Sequence, residues 1–282
     1  MHIVDAHHHL WDPADRDYPF MRPAAFDPIR RRYGLDDLRA RADAAGVAAT
    51  VLVQTVSDTT ETREFLDVAA ASDGLVAGVV GWADLTSPAF AAELDELRSA
   101  PAGRWLVGLR HQVETEPDAG WLQRPDVRRA MTALESAGLV YDLLIRADQA
   151  ASAVELAHDH DQLSFVLDHA GKPPVAGGAV PAWREWISGL AAAPNVYVKL
   201  SGLVTEADWA SWAVADLRPY VEVMLELFGP ERIMVGTDWP VCELAAPYGR
   251  VIDAATELTA HLSASERHEM FAGTARRVYG IK

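Results

Sequence analysis

The sequence contains a single cysteine and has no apolar run long enough to span a membrane. Cys242 alone cannot form an intrachain disulfide, which suits a reducing compartment. A transmembrane helix needs about 20 consecutive apolar residues, and the chain has no such run. No secretory signal precedes the first apolar segment. These absences predict a cytoplasmic protein without a membrane partner.

Basic residues are also scarce, since 25 Lys and Arg stand against 41 Asp and Glu, for a formal net charge of -16 at pH 7. Binding to nucleic acid requires a basic footprint, so we expect no nucleic-acid partner. A glycine-rich phosphate loop after the first strand is missing, which argues against an open doubly wound sheet. The charge does not restrict the substrate, because a basic pocket can lie within an acidic surface.

Short apolar, β-branched segments alternate with amphipathic ones along all 282 residues. Eight of them are predicted strands: 3–5, 50–54, 76–82, 106–110, 140–145, 165–168, 196–200 and 233–236. The predicted helices are 36–45, 61–71, 89–99, 126–137, 148–158, 183–192, 213–228, 250–260 and 264–279. Ser263 and Glu266 have the spacing of a capping box before the last helix, and Gly280 follows as its C-cap.

This alternation predicts an α/β fold, because strands separated by helices form a parallel sheet. The strands are apolar on both faces, as in a sheet covered on both sides. Eight strand–helix units close into a (β/α)8 TIM barrel, and we expect residues 1–282 to form this single domain. Residues 14–32 form a long loop after the first strand, where such loops often cover a site.

The chain opens with MHIVDAHHHLWDP, in which three histidines follow an apolar segment and an aspartate. Residues two apart in a strand share a face. Asp5, His7 and His9 are therefore expected to point one way and His8 the other. Burying two imidazoles on one side of a strand is costly, so this pattern favours a functional site.

Polar and aromatic residues recur at the carboxyl ends of the other predicted strands, in "GWAD", "GLRH", "LDHAGKP", "VKLSG" and "VGTDWPV". The carboxyl ends of barrel strands surround one pocket. The residues that we expect to meet there are His7, His9, Trp82, Arg110, His111, His169, Lys172, Lys199, Asp238 and Trp239.

These motifs resemble those of the amidohydrolase superfamily, and more narrowly its family-2 lactonase branch of sugar-acid and pyrone-dicarboxylate lactonases. "DAHHHLWDP", "GLRH", "DHAGKP", "KLSGL" and "GTDWPV" occur in the order that the branch uses and span the chain. Two-metal members carry a lysine or glutamate on strand four and a histidine on strand five. This sequence has Arg110 and His111 on strand four and no histidine on strand five, so the bridging ligand of a two-metal site is missing.

The resemblance implies hydrolysis of a lactone, with Asp238 as the base that activates water. His7, His9 and His169 would polarise the carbonyl. Some members of the branch work without a metal, so we expect that no cofactor is required. The alternative is one zinc ion held by His7, His9, His169 and Asp238, since zinc needs only three protein ligands plus water.

Further residues are expected to bind the substrate through hydroxyl groups, a carboxylate or an aromatic wall. They are Arg110, His111, Lys172, Lys199, Trp11, Trp82, Trp239 and, from the long loop, Tyr18. Arg110 is equally well interpreted as an ion-pair partner of Asp142 or Asp84 inside the barrel. Asp168 is expected to face the helices or a neighbouring strand.

The function that the resemblance implies is hydrolysis of a carboxylic ester in an aldonolactone, such as L-fucono- or L-rhamnonolactone. The partner is then a small-molecule lactone, and the sequence makes no prediction of the oligomeric state. Two other functions stay open. One is a zinc-dependent amidohydrolase or decarboxylase, and the other is a non-catalytic barrel that binds a small acid.

Overall fold

The computed structural model describes residues 2–282 and contains one eight-stranded sheet in which every strand pairs in parallel with the next along the chain. The strands are β1 Ile3–His8, β2 Val47–Val53, β3 Val76–Gly81, β4 Leu106–His111, β5 Val140–Leu143, β6 Phe165–Leu167, β7 Val196–Leu200 and β8 Ile233–Val235. All eight predicted strands are confirmed, with ends that differ by a few residues.

Backbone contacts between β1 and the residues after β8 close the sheet. The N–H of Asp238 donates to the carbonyl of His7 at 2.8 Å, and that of His9 donates to the carbonyl of Trp239 at 2.6 Å. A parallel bridge also joins His8 to Trp239. The predicted (β/α)8 barrel is therefore confirmed.

Helices follow the strands around the barrel. They are α1 Leu35–Ala45, α2 Thr59–Ala71, α3 Phe90–Ser99, α4 Pro125–Ala137, α5 Ala150–Asp159, α6 Val180–Ala191, α7 Val214–Phe228, α8 Tyr248–Leu258, α9 Ala264–His268 and α10 Thr274–Tyr279. The last predicted helix is interrupted by a π-helical segment at Glu269–Gly273. The Ser263 capping box forms as predicted, and Gly280 ends α10 with a φ of 64°. Among residues 2–282, no helix has both the length and the apolar character required to cross a membrane.

An apolar cluster connects the strands with the C-terminal segment. It combines strand residues such as Val51, Val80 and Met234 with Tyr279 and Ile281. The C-terminal segment therefore packs against the amino end of the barrel, and the carboxyl end stays open for a site.

The expectation that Asp5 faces the same way as the nearby histidines is wrong. The pairing of β1 with β2 changes register between Asp5 and His8, which interrupts the alternation of side chains. Asp5 is buried and accepts hydrogen bonds from the N–H of Thr237 at 2.8 Å, the hydroxyl of Thr237 at 2.6 Å and the hydroxyl of Tyr248 at 2.9 Å. Asp5 thus joins the first strand to the segment after the last one.

Candidate active site

A cavity of about 220 Å³ lies at the carboxyl ends of the strands. Five residues singled out in the sequence line it: His9, Arg110, His169, Lys172 and Asp238. These residues follow or end four different strands, which shows how the barrel gathers distant parts of the chain around one opening.

Two imidazoles and a carboxylate form the centre of the site. The Nε2 atoms of His7 and His9 are 3.1 Å apart. Oδ1 of Asp238 lies 3.5 Å from Nε2 of His9 and 3.8 Å from Nε2 of His7. All three side chains are almost entirely buried, so their polar atoms must be satisfied within the site.

Hydrogen bonds hold both histidines, and one of these bonds assigns the tautomer of His9. Nδ1 of His9 lies 2.7 Å from the carbonyl of Val53, which can only accept, so this nitrogen carries the proton. On the far side of His7, Nζ of Lys199 lies 3.1 Å from Nδ1. The same Nδ1 lies 3.3 Å from Oδ1 of Asp168, and Nε2 lies 3.5 Å from Nη1 of Arg110, so polar contacts hold the His7 ring on both sides.

His169 approaches Asp238 from the β6 side, with its Nε2 3.9 Å from Oδ1. Its Nδ1 lies 3.0 Å from the hydroxyl of Ser201, which follows β7. When Ser201 donates to Nδ1, the proton of the neutral ring is on Nε2, on the side of Asp238.

Burial and neighbouring charges shift the pKa values of the acid and of the imidazoles. Burial by itself raises the pKa of Asp238, but the neighbouring His169, His9 and Lys172 outweigh burial and bring this pKa below its ordinary value. Burial lowers the pKa of His169, although Asp238 opposes the shift. Burial and Lys199 hold the pKa of His7 well below its usual range. At neutral pH we therefore expect Asp238 to be ionised and both of these imidazoles to be neutral.

An ion-pair network lies next to the site inside the barrel. Nη1 of Arg110 is 2.8 Å from Asp168, and its Nη2 donates to the carbonyl of Gln54 at 2.6 Å. Nζ of Lys199 lies 2.9 Å from Asp168 and 2.5 Å from Asp142. Burial alone would raise the pKa of Asp168, but Lys199, His7 and Arg110 hold it well below its ordinary value.

The network bears on three expectations. Of the two orientations expected for Asp168, the structure shows the second, because the side chain pairs with Lys199 of the neighbouring strand β7 and with Arg110 instead of facing the helices. Arg110 pairs with Asp168 rather than with Asp142 or Asp84. Lys199, expected to bind substrate, is fully buried and does not line the cavity.

The site residues fit a single zinc ion. The Nε2 atoms of His7 and His9 and a carboxylate oxygen of Asp238 can converge on one point. Their separations of 3.1, 3.5 and 3.8 Å bracket the distance of about 3.3 Å expected between two ligands of a tetrahedral zinc. The bond from His9 to Val53 leaves Nε2 free to coordinate, as in many metal sites. His7, Asp168 and His169 form a second such group, but Arg110 and Lys199 already neutralise its carboxylate.

The predicted aromatic walls lie outside the cavity lining. Trp82 donates from Nε1 to His111 at 3.0 Å, and His111 stacks on Trp121 with ring centroids 4.3 Å apart. Nε2 of His111 also lies 2.8 Å from Glu116. Trp82 and His111 therefore form a packed cluster beside the site.

The remaining predicted aromatics support the long loop. Trp11 donates from Nε1 to the carbonyl of Ile29 at 3.2 Å and packs edge-on against Tyr33. Trp239 donates to Glu243 at 2.9 Å, and Tyr18 is buried with its hydroxyl 3.3 Å from the N–H of Asp12. These residues hold the loop, and two phenylalanines from it, Phe20 and Phe26, line the cavity instead.

Sequence reasoning missed most of the cavity wall. The missed lining residues are Phe20, Phe26, Thr55, Gln112, Glu114, Leu144, Gly202, Thr205, Glu206, Trp209, Val241 and Leu244. They lie at strand ends and in the segments beyond them, and only Gly202 in "KLSGL" and Val241 in "GTDWPV" belong to a motif quoted above. Glu114 stands four residues after Arg110, and this short spacing is the one sequence signal that could have pointed to it. In the structure its carboxylate binds Nζ of Lys172 at 2.6 Å.

Comparison with known proteins adds to this geometry. A protein-family model described as amidohydrolase matches residues 4–281. An L-fucono-1,5-lactonase of Burkholderia multivorans is 37% identical over 289 residues, which cover 99% of this chain and 96% of that protein. An L-fucono-1,5-lactonase of Burkholderia ambifaria is 37% identical over 246 residues, which cover 87% of this chain and 83% of that protein. The crystal structure of an amidohydrolase from Burkholderia multivorans with bound zinc superposes with a TM-score of 0.92 at 36% identity and covers 100% of both chains.

Proposed function

The chain belongs to the amidohydrolase family, and from this premise we propose that it opens the ester ring of a sugar-acid lactone. L-Fucono-1,5-lactone is the first substrate to test, because two relatives that are each 37% identical carry that activity in their names. The observation that supports the chemistry best is the buried Asp238, which lines the cavity within 4 Å of three imidazoles.

Asp238 acts as the general base in this proposal. A lactone is an ester, so its hydrolysis needs a base for water and donors for the developing oxyanion. The lowered pKa of Asp238 keeps the carboxylate ionised at neutral pH and ready to accept a proton from water. When the tetrahedral intermediate collapses, the bond between the carbonyl carbon and the ring oxygen breaks. Asp238 returns its proton to that oxygen, and the product is an open hydroxy acid.

His169 is the imidazole best placed to donate to the carbonyl oxygen. Its Nδ1 is bonded to Ser201, which leaves the Nε2–H on the side of the cavity. His9 already donates its ring N–H to the carbonyl of Val53, and His7 is held by the charged groups of the ion-pair network. His7 and His9 therefore hold Asp238 in place rather than polarising the carbonyl.

We propose that ring opening does not require a metal, because an ester needs only a base for water and a donor for the oxyanion, and Asp238 and His169 can supply both. A zinc ion would be held by His7, His9 and Asp238, and it would supply polarisation of the lactone carbonyl. After exhaustive chelation, we expect lactone hydrolysis to continue at an unchanged rate. Loss of activity that zinc restores would show instead that the metal is part of the machinery.

The base is tested by Asp238→Asn, with Asp253→Asn as a matched control on the exposed side of α8. Aldono-1,4- and 1,5-lactones are assayed with a pH indicator. Loss of a general base is expected to lower kcat by about 100- to 10,000-fold, because the amide cannot accept the proton. The control should keep the wild-type rate.

Two results would contradict the proposal. If Asp238→Asn hydrolyses lactones as fast as the control, another group is the base. If the wild-type protein opens no lactone in the panel, the non-catalytic barrel becomes the better interpretation.

A further inference from the structure

Glu206 lies on the cavity wall, in the segment that follows β7, and its backbone is held from two sides. Its carbonyl accepts a hydrogen bond from the N–H of Ala176 at 3.0 Å. The hydroxyl of Thr205 donates to the carbonyl of Gly202 at 2.7 Å, and Nε1 of Trp209 donates to the carbonyl of Thr205 at 2.8 Å. The position of the Glu206 side chain at the cavity is therefore built into the fold.

The two cations that line the cavity are already bound to other carboxylates. Arg110 is occupied by Asp168 and by Gln54. Nζ of Lys172 contacts both oxygens of Glu114, at 2.7 and 2.6 Å. Each cation is therefore already paired with a carboxylate of the protein.

The carboxylate of Glu206 has no such partner. Within residues 2–282, no side chain or backbone N–H donates a hydrogen bond to it. Burial raises its pKa, Glu114 and Asp238 add to the shift, and Lys172 opposes it. A ligand that brings hydroxyl donors would supply the hydrogen bonds that the protein does not give this carboxylate.

Part of the lining is apolar and includes Phe20, Phe26, Val241 and Leu244. A cavity with unpaired carboxylate oxygens and an apolar wall matches a molecule that carries both hydroxyls and C–H surface. A neutral sugar lactone has this character, whereas a lactone with a second carboxylate does not.

We propose that Glu206 determines substrate specificity by accepting hydrogen bonds from hydroxyls of a neutral lactone and by repelling lactones that carry a carboxylate. This inference rests on the proposed lactonase function and specifies the substrate class for the same cavity. In this proposal Glu206 binds hydroxyls of the substrate, and Asp238 transfers the proton.

The test compares Glu206→Gln with Glu222→Gln, which removes one charge from the exposed side of α7. Two lactones of equal ring size are used, L-fucono-1,5-lactone and an aldaric-acid lactone that carries a carboxylate outside the ring. For Glu206→Gln, we expect KM for the neutral lactone to rise about tenfold or more, because bonds to a charged acceptor are lost. Preference for the neutral over the carboxylated lactone, as a ratio of kcat/KM, should fall by a similar factor. The pH profile of kcat should stay unchanged.

Three results separate the possible failures. If Glu206→Gln and Glu222→Gln agree within about twofold on both substrates, Glu206 has no role in specificity. If Glu206→Gln lowers kcat and removes a limb of the pH profile at constant KM, Glu206 transfers a proton and the proposal is wrong. If wild-type protein opens neither lactone, the lactonase function fails, and this inference fails with it. Glu206→Ala, checked for thermal unfolding, provides a second variant for the same comparison.

Discussion

Several residues at the site adopt a backbone conformation that is unusual for their type. His169, Ala170 and Lys172 have a φ of 52°, and Asp238 has a φ of 58°. Each such residue costs about 1–3 kcal/mol and persists only when its surroundings hold it there. The hydrogen bond from the N–H of Asp238 to the carbonyl of His7 helps to stabilise the backbone conformation of Asp238. The strain places the carboxylate and the imidazole of His169 towards each other.

Gly202 is expected to be required for the position of His169. It has a φ of 69°, and a Cβ added there would lie 2.9 Å from the imidazole of His169. Gly202→Ala should therefore displace His169 and lower kcat/KM for lactone hydrolysis by about tenfold or more, as loss of an oriented donor does. Steady-state kinetics, together with circular dichroism to confirm folding, measures this effect.

Gly249→Ala in α8 is the matched control, because a Cβ there would meet nothing within 4 Å. It should leave kcat/KM unchanged. Equal activity in both variants would show that His169 does not need the close approach of Gly202.

At the scale of elements, one buried acid fixes the connection between β2 and α2. Glu61 accepts hydrogen bonds from the N–H of Thr55 at 2.7 Å and from the N–H of Val56 at 3.2 Å, and also from the hydroxyl of Thr55. Thr55 lines the cavity. Arg16 of the long loop lies 3.8 Å from the same carboxylate, so Glu61 connects the loop, the helix and the site.

We expect Glu61 to make folding stability depend on pH. Burial raises its pKa above the ordinary value, although the bonds from Thr55 and Val56 oppose the shift. Between the ordinary and the raised value, the folded protein binds more protons than the unfolded chain. The free energy of unfolding contributed by Glu61 therefore falls as pH rises through that window and stays constant above it.

Glu61→Gln should remove this contribution. Urea unfolding from about pH 4 to pH 7 measures it, with Asp67→Asn on the exposed side of α2 as the control for charge. The difference in stability between wild type and Glu61→Gln should change with pH, and that for the control should not. Parallel curves for all three proteins would contradict the assignment.

At the scale of the whole molecule, polar contacts connect the C-terminal helix to the active site through the barrel. The hydroxyl of Tyr279 donates to Asp142 at 2.9 Å, and Asp142 lies 2.5 Å from Nζ of Lys199. Lys199 in turn lies 3.1 Å from Nδ1 of His7. All four side chains are buried, so each partner is needed to satisfy the next.

Tyr279→Phe should lower the free energy of unfolding by about 1–3 kcal/mol, because it leaves the buried Asp142 with one donor fewer. Urea unfolding at neutral pH measures the change. Tyr197→Phe is the control, since Tyr197 lies on β7 and is only partly buried. An equal loss in both variants would show that the bond to Asp142 contributes nothing specific.

The fold could be predicted from the sequence because its signals are local. Each strand is a short β-branched run buried on both faces, and each is followed by an amphipathic segment, so their order alone indicates a parallel barrel. His9, His169 and Asp238 also follow strand ends directly, and the carboxyl ends of barrel strands always meet. These placements depend on chain order and hydrophobic period, which the sequence contains.

Only the tertiary structure decided what depends on register, on rotation of side chains and on the paths of loops. The change of register in β1 turns Asp5 away from the histidines, and Arg110 forms its ion pair with Asp168 inside the barrel. Phe20 and Glu206 reach the cavity because distant backbone contacts hold their loops. Such contacts form between residues far apart in the chain, and no local pattern of hydrophobicity or charge records them.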